Sequence, residues 1–324
     1  MGLRILSGIQ SSARLHLGNY FGALKQYVEL QAMPGAEPYY FIADFHAMTT
    51  VREAAELRAY IQDVAVDFLA IGLDPKKSVF FRQSDVPEVT ELAWMLGCVT
   101  GMGLLERAHS YKDKLAKGIT PVVGLFYYPV LMAADILIYK TNVVPVGQDQ
   151  VQHIEMTQDI AQRFNLTYGC SVLVRPEAKL SEAPKVPGID GEKMSKSYGN
   201  AIELQLEGEE LRQAIMSIKT DSTPVADPKD PEKCTVFALY ALFATEAEKE
   251  ALAAAYRAGG MGYGEAKKLL YGKMEAYFAP YRARRKELLG DPDYVQAVLS
   301  DGAARARAVA QATLDEAKRA AGLR

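Results

Sequence analysis

The sequence predicts an α/β fold in which a doubly wound parallel sheet is followed by a C-terminal α-helical domain. Two observations predict it. Short apolar runs typical of buried strands alternate with amphipathic helices through the first half of the chain, which is typical of a parallel sheet with helices on both faces. From Glu209 onward the chain is rich in Ala, Leu, Glu, Lys and Arg, which favour helices.

The strands and helices alternate in order along the chain. The predicted strands span 3–9, 39–43, 78–81 and 143–146. The helices that follow them begin at Gly18, near Leu57, at Pro87 and near Gln150. In the first two helices apolar residues recur at helical spacing, at Phe21, Leu24 and Val28 and then at Leu57, Ile61, Val64, Phe68 and Leu69.

Composition predicts where the domains meet. Residues 180–200 interleave prolines and glycines with lysines, which is typical of a mobile loop. We therefore expect a sheet domain at 1–192, a mobile loop at 193–200 and a helical domain at 201–324. Breaks in the helical pattern are expected at 220–231 and around 259–264.

Length and charge narrow the class of protein. A chain of 324 residues suits two domains, and its 49% hydrophobic and 24% charged residues are typical of a globular protein. No apolar run approaches the ~20 residues of a membrane span, and the start lacks the pattern of a signal peptide, so we expect a cytoplasmic protein without membrane contact. A net charge of -3 gives no global attraction to nucleic acid, so any RNA contact depends on local basic patches.

The three cysteines indicate neither a disulfide framework nor a zinc site. Cys98, Cys170 and Cys234 are far apart and form no Cys-x-x-Cys pair. We expect them to be core thiols.

The first chemical pattern is the loop after the first strand, which ends in His16-Leu17-Gly18-Asn19 at a helix start. Free N–H groups at a helix start favour phosphate, and glycine permits close approach to the backbone. His16 and Asn19 add side-chain donors to phosphate oxygens. Alternatively, His16 only caps the helix and Gly18 serves a turn; taken alone, the tetrapeptide favours this interpretation.

The second pattern is Lys193-Met194-Ser195-Lys196-Ser197, with two cations and two hydroxyls in a glycine-bounded loop. Lysines on a closing loop supply charge to a phosphoryl-transfer transition state when it forms. An ordinary solvated basic loop is the alternative. Both patterns together, in this order and separated by a doubly wound domain, favour one ATP site.

With these two motifs the sequence resembles the class I aminoacyl-tRNA synthetases, whose Rossmann-like catalytic domain carries a His-x-Gly-His/Asn element and a Lys-Met-Ser-Lys-Ser loop. Further segments resemble the bacterial tryptophan-specific members over essentially the whole chain: Gly8-Ile9-Gln10, Asp44, His46, Glu106-Arg107, Tyr128-Pro129, Met132-Ala133-Ala134-Asp135 and Val144 to Gln150. The resemblance implies that ATP activates L-tryptophan to tryptophanyl-adenylate, which is then transferred to tRNA(Trp). It also implies a homodimer, Mg2+ bound with ATP, no prosthetic group, no metal site of the protein and anticodon binding by residues 201–324.

The resemblance also implies roles for individual residues. The implied catalytic residues are His16, Asn19, Lys193 and Lys196. The implied ATP contacts are Gln10, Ser11, Ser12, Gly18, Asn19, Lys114, Gly147, Gln148, Asp149, Lys193, Met194, Ser195, Lys196 and Ser197. The implied tryptophan contacts are Leu6, Gly8, Gln10, His46, Tyr128, Met132, Asp135, Val144, Val146 and Gln150.

The choice of tryptophan also has a physical basis. Tyr128, Met132 and Asp135 stand at helical spacing on one face of an apolar stretch. A buried carboxylate needs a donor, which an indole N–H supplies, and Met132 offers a thioether to an aromatic ring. The tyrosine ligases place a glutamine at the position of Met132. The alternative is that Asp135 faces solvent and Met132 only packs in the core.

The sequence departs from the family pattern in the first loop. Ser11 and Ala13 replace the usual proline and glycine, so that loop loses a rigid turn former and a permissive position. This keeps open a synthetase-like protein that binds tRNA without charging it. A tyrosine ligase and a smaller nucleotidyltransferase of the same fold are further alternatives, although the helical half and the lysine loop count against the latter.

Basic residues cluster in the helical half and suit either RNA phosphates or a solvated helix face. They are Arg282, Arg284, Arg285, Lys286, Arg305, Arg307, Lys318 and Arg319. We assign no tRNA contact among them.

Overall fold

Five parallel strands form one sheet in the computed structural model, which describes residues 2–108, 111–112, 122–180 and 185–323. The strands are β1 Leu3–Ile9, β2 Ala36–Ile42, β3 Val79–Arg82, β4 Val143–Val146 and β5 Glu177–Leu180. Their order across the sheet is β3-β2-β1-β4-β5. The predicted α/β class is confirmed, and β5 is an additional strand that the sequence did not predict.

The register places a reversal of strand order beside β1. On one side β1 pairs with β2 from Leu3 opposite Ala36 to Ile9 opposite Ile42. On its other side β1 pairs with β4 at Ile5 and Val143. In open parallel sheets ligands bind outside the carboxyl ends of the strands at such a reversal.

Helices connect the strands and form most of the second half. They are α1 Leu17–Asn19, α2 Lys25–Leu30, α3 Asp44–Ala47, α4 Ala54–Ala70, α5 Glu88–Val99, α6 Met102–Glu106, α7 Val123–Leu137, α8 Val151–Thr167, α9 Gly208–Met216, α10 Thr235–Ala241, α11 Glu246–Ala258, α12 Tyr263–Leu289 and α13 Pro292–Ala320. A π-helical stretch, Tyr20–Leu24, joins α1 to α2. The breaks predicted at 220–231 and around 259–264 are both present, and a short 3-10 turn, Pro231–Lys233, begins at the end of the first.

Alternate side chains of the strands face opposite sides of the sheet, and helices cover both. Tyr39 and Phe41 face the core shared with α5, α7, α8 and α13. Tyr40 stacks on Tyr27 of α2, and Phe80 stacks on Phe68 of α4, on the other side. This two-sided burial explains why the strands contain nearly continuous apolar runs.

The chain divides into two units whose boundaries differ from the predicted ones. Unit 1 comprises Met1–Ala13, Tyr27–Glu182 and Asp291–Arg324, and unit 2 comprises Arg14–Gln26 and Ala183–Gly290. The last helix therefore belongs to the sheet unit, although composition placed it with the other helices. Likewise, residues 14–26 group with the helical unit rather than with the strand that precedes them.

The physical reason is the packing of α13 on the edge strand β3. A Cβ at Gly302 would lie 1.8 Å from the backbone oxygen of Phe80, so only glycine allows this approach. The Arg305 guanidinium donates to the backbone oxygens of Pro75 and Ser78, each at 2.8 Å. Long-range contacts of this kind decide membership of a unit, and helix propensity does not.

In unit 2 the helices enclose a separate core. Tyr20, Phe21, Phe243, Tyr277 and Phe278 pack mainly edge to face, with ring centroids 5.0 to 6.3 Å apart. Phe21, which is buried just after α1, thus belongs to a core formed by helices.

The structure also bears on membrane contact and on the cysteines. In the described part of the chain, no helix has the length and apolarity needed to cross a membrane.

Cys234 is buried as predicted and Cys170 is half-buried, but Cys98 is exposed at the end of α5. The expectation of three core thiols is wrong for Cys98, because Cys98 lies one helical turn after the exposed Trp94 on the solvent side of α5.

We predict that Gly302→Ala lowers the free energy of unfolding by about 1–3 kcal/mol, because the new methyl group displaces the backbone of β3. Thermal denaturation measures this as a loss of roughly 2–4 °C per kcal/mol. The matched control is Gly272→Ala in α12, where a Cβ meets nothing within 4 Å and the helix gains propensity. Equal melting temperatures for Gly302→Ala and wild type would contradict the packing of α13 on β3.

Candidate active site

The carboxyl ends of four parallel strands present polar residues at one edge of the sheet. Gln10 follows β1, His46 lies in α3 just beyond β2, Gln83 directly follows β3, and Gly147 directly follows β4. These are the positions at which an open parallel sheet binds ligands. The candidate site in unit 1 is built around them.

Asp135 of α7 is a buried carboxylate at this edge. It is 2% exposed and shares one helix face with Tyr128 and Met132, as predicted. His46 Nε2 lies 2.9 Å from Asp135 Oδ2, and Gln83 Nε2 lies 2.8 Å from Oδ1 and 2.9 Å from Oδ2. Burial raises the pKa of Asp135, and the bonds from His46 and Gln83 oppose that rise. The alternative that Asp135 faces solvent is wrong.

Aromatic and apolar residues surround this carboxylate. The hydroxyl of Tyr128, which is half-buried, lies 2.8 Å from Nε2 of the buried His153 in α8. Met132 packs against the core of unit 1 while staying partly exposed. The alternative reading of Met132 as core packing therefore holds for part of its side chain.

The residues contributed by the strands separate into two groups. Leu6, Val144 and Val146 are buried in the core that supports the site. Gly8 is exposed, and a Cβ there would lie 2.6 Å from the Phe41 ring, so glycine is required beside this aromatic side chain. The proposed tryptophan contacts of these residues stay predictions.

The loop after β1 is folded onto α3. The Gln10 amide donates to the backbone oxygen of His46 at 3.0 Å. Ser11 is fully buried, and within the described residues its hydroxyl has no hydrogen-bond partner. Ser12 is half-buried. A hydroxyl at position 11 thus replaces the proline of the family without any compensating bond in the described structure.

The turn after β4 leads into α8 as predicted. Gly147 and Gln148 are exposed and Gln150 is half-buried, with the Gln150 N–H donating to the Gly147 oxygen at 3.0 Å. The Asp149 side chain and Lys114 lie outside the described residues, so their predicted roles stay predictions.

In unit 2, His16 caps α1. Its Nδ1 accepts from the Gly18 N–H at 3.1 Å, and Asn19 Oδ1 accepts from the His16 N–H at 3.0 Å. A Cβ at Gly18 would lie 2.9 Å from the His16 ring, so glycine is needed there. His16 therefore caps the helix, as the alternative interpretation held, while its phosphate role stays a prediction. Because Nδ1 accepts, the ring proton sits on Nε2, which takes no part in this cap.

The two predicted ATP motifs meet in unit 2 through a backbone pairing. The Leu17 N–H donates to the Ile202 oxygen and the Leu204 N–H to the Leu15 oxygen, both at 3.0 Å. His16 therefore lies opposite Glu203. Glu203 forms an ion pair with Lys196 and lies 3.6 Å from Arg14, so the second lysine of the loop is held beside His16.

This neighbourhood keeps the His16 imidazole neutral. Burial, with the Lys196 charge as the second cause, lowers the pKa of His16 to about 4, while Glu203 acts in the opposite direction. Near neutral pH the ring is thus an uncharged donor beside a cation.

Asn200 fixes the shape of the loop at 193–200. It is 1% exposed, accepts from the Ser195 N–H at 2.7 Å and donates to Lys193 O at 3.2 Å. Met194 is buried, Lys193 and Ser197 are exposed, and Lys196 starts a short 3-10 turn that ends at Gly199 with φ of 66°. The expected mobility of this loop stays a prediction.

Known proteins resemble this chain over nearly its whole length. Residues 2–279 match the family model described as class I tRNA synthetases (W and Y). The chain belongs to this family. A tryptophan–tRNA ligase of Rhodopirellula baltica is 55% identical over 99% of this chain and 100% of its own length, and one of Fusobacterium nucleatum is 49% identical over 99% and 98%. A crystal structure of tryptophanyl-tRNA synthetase from Campylobacter jejuni, complexed with ADP and tryptophan, superposes with a TM-score of 0.92 at 46% identity, covering 98% of this chain and 99% of that one.

Four residues of this synthetase that were not predicted from the sequence hold the predicted ones in place. Gln83 and His153 contact Asp135 and Tyr128, while Asn200 and Glu203 organise the lysine loop. Gln83 carried a usable signal, because it is a polar residue directly after a buried strand. Glu203 carried none, since its role depends on a backbone pairing with a segment far away in the sequence.

Most of the basic cluster in the synthetase is engaged inside the protein. Arg282 pairs with Glu275, Arg284 with Glu287, Arg307 with Glu88 and Lys318 with Glu91. Arg305 binds backbone oxygens as described above. The exposed Arg284–Glu287 pair fits the solvated helix face, whereas Arg305, Arg307 and Lys318 are held by other parts of unit 1.

We predict that the His16 ring protons titrate near pH 4 in NMR spectra of the synthetase, since burial and Lys196 disfavour the charged ring. Between pH 6.5 and about 4 the unfolded chain binds a proton at His16 and the folded chain does not. The contribution of His16 to the free energy of unfolding therefore decreases as the pH falls from 6.5 to about 4. Lys196→Ala should raise the His16 pKa, whereas Lys233→Ala, which changes an exposed lysine in unit 2, should not. Wild-type titration near 6.5 would contradict this account.

Proposed function

We propose that this synthetase is a tryptophan–tRNA ligase that forms tryptophanyl-adenylate and charges tRNA(Trp) for protein synthesis. The observation that carries the proposal is the buried Asp135 carboxylate, which shares one face of α7 with the half-buried Tyr128 and Met132. Such a carboxylate accepts from an indole N–H and disfavours a group that needs a hydrogen-bond donor. The relatives at 49–55% identity, which are tryptophan–tRNA ligases, support the same substrate.

In the proposed reaction the tryptophan carboxylate attacks the α-phosphorus of ATP. A new P–O bond forms, the bond to the β-phosphate oxygen breaks, and pyrophosphate leaves. A ribose hydroxyl of tRNA then attacks the activated carbonyl, so that the ester forms and AMP leaves. Positioning and charge stabilisation suffice for both steps.

The residues of unit 2 supply the charge and the donors for the phosphates. We assign the His16 Nε2–H to the phosphate oxygens, because its Nδ1 is occupied by the cap. Lys196 and Lys193 neutralise charge that develops on the leaving pyrophosphate. Asn19 uses its oxygen in the cap, so its amide N–H is the part available to ATP. The remaining ATP contacts are those named from the sequence, and Mg2+ enters with ATP as part of the substrate.

The partners follow from the same proposal. We assign anticodon contacts to the helices between residues 208 and 289, since α13 packs on the sheet of unit 1. The predicted homodimer is supported by exposed apolar side chains on unit 1, namely Trp94 at 74%, Met102 at 63%, Val123 at 81% and Leu166 at 74% exposure. We place the enzyme in the cytoplasm, where tRNA charging serves the ribosome.

The decisive test is amino-acid-dependent exchange of pyrophosphate into ATP. We expect exchange with tryptophan and not with tyrosine, and Asp135→Asn should lower kcat/KM for tryptophan by roughly 10- to 100-fold, as expected for a lost charged hydrogen bond. The control is Asp293→Asn, an exposed residue in the first turn of α13. Exchange with tyrosine alone would reject the assignment in favour of a tyrosine ligase, and tRNA binding without any exchange would favour a protein that does not charge tRNA.

A second prediction separates transition-state charge from binding. Lys196→Ala should lower kcat for exchange by about 10²- to 10³-fold and leave the KM for tryptophan nearly unchanged, since Lys196 lies in unit 2 with His16 and acts on phosphate. Lys233→Ala is the matched control and should retain wild-type rates. Equal effects on kcat and on tryptophan binding would show that Lys196 has no specific role in the transition state.

A further inference from the structure

Gln83 is a buried amide that the mechanism above leaves without a role. It directly follows β3 and is 1% exposed. A buried amide costs stability unless its donors and acceptor are satisfied. Its position next to Asp135 therefore has to be explained by the hydrogen bonds it makes.

The orientation of this amide is fixed at its oxygen. Gln83 Oε1 accepts from the Phe45 N–H at 3.1 Å, which a nitrogen at that position could not do. Asp44, 5% exposed, accepts from the Phe45 and Ser84 N–H groups, each at 3.0 Å. The loop after β2 is thereby fastened to the loop after β3, and the Gln83 NH2 group must face Asp135.

The Gln83 NH2 group contacts both oxygens of the carboxylate. With distances of 2.8 Å and 2.9 Å to Oδ1 and Oδ2, it sets the plane of the Asp135 carboxylate, while His46 contacts Oδ2 alone. Each carboxylate oxygen has two acceptor sites, so Gln83 and His46 occupy both sites of Oδ2, while Oδ1 retains one for a further donor. A carboxylate held in this way is ready to accept from a ligand without first reorienting.

We propose that Gln83 is a positioning residue for amino-acid selection: it holds the Asp135 carboxylate oriented to accept the indole N–H of tryptophan. Gln83 acts through Asp135 and makes no contact with substrate. This inference rests on the proposed function and adds a residue that sets the specificity of the same site. Without the Gln83 NH2 group, Asp135 keeps the bond from His46 at Oδ2 but loses its only described donor at Oδ1, so the carboxylate turns more freely.

The test compares ligands that differ in the N–H group. Dissociation constants are measured by calorimetry for tryptophan and for β-(benzothiophen-3-yl)alanine, in which sulfur replaces the indole N–H. In Gln83→Met the preference for tryptophan should fall about tenfold or more, while the KM for ATP is unchanged. The control is Gln31→Met, which removes an amide that joins Gly72 and Asp74 outside the site.

Two variants with opposite pH dependence exclude a merely structural role. In Gln83→Met the pKa of Asp135 rises, so tryptophan affinity should increase as pH rises and the carboxylate ionises. In Gln83→Glu two carboxylates face each other; at lower pH they share a proton that restores a donor to Asp135, so affinity should decrease as pH rises. Because the glutamate keeps an oxygen for the Phe45 N–H, this variant retains the loop contact if the methionine variant fails to fold.

The outcomes separate the inference from the function on which it rests. If wild type prefers tryptophan and both Gln83 variants keep that preference at every pH, the role of Gln83 is overturned and the function stands. If wild type shows neither a preference for the indole N–H nor exchange with tryptophan, the proposed function fails and this inference fails with it.

Discussion

Burial of one charged group is the constraint on which the candidate site of unit 1 depends. Asp135 can carry its charge in the core only where N–H groups replace the water that it has lost. Those groups come from His46, beyond β2, and from Gln83, directly after β3. Only a parallel sheet brings these two strand ends to one edge, so the strand register and the chemistry of the site have a common origin.

Unit 2 holds together two motifs that are far apart in the sequence. The pairing of 15–17 with 202–204 places the helix cap of His16 beside the counter-ion of Lys196. A displacement of residues 202–204 therefore acts on both motifs at once. The cap also consumes one nitrogen of His16 and the oxygen of Asn19, which leaves each residue a single kind of polar group to offer a ligand.

The sequence predicted the parts of the structure that depend on local patterns. The strand at 143–146 has the predicted bounds because it is a short apolar run, whereas β5, with Glu177 and Lys179 on the sheet edge, lacks such a run. The motif residues His16 and Lys196 could be recognised because phosphate chemistry restricts which residue types can stand at those positions. Gln83 and Glu203 act through contacts with other residues, and composition placed α13 in the wrong unit because its partner, Phe80, is remote in sequence.

The packing of α13 on β3 also determines when unit 1 can complete its folding during synthesis. Arg305 donates to the backbone oxygen of Ser78, 227 positions earlier and directly before β3, and at the usual rate of translation Arg305 appears roughly 10 to 45 s after Ser78. During that interval β3, at the edge of the sheet, lacks the helix that will cover it. Uncovered sheet edges can pair with strands of other chains, so the nascent chain is most exposed to aggregation before α13 is made.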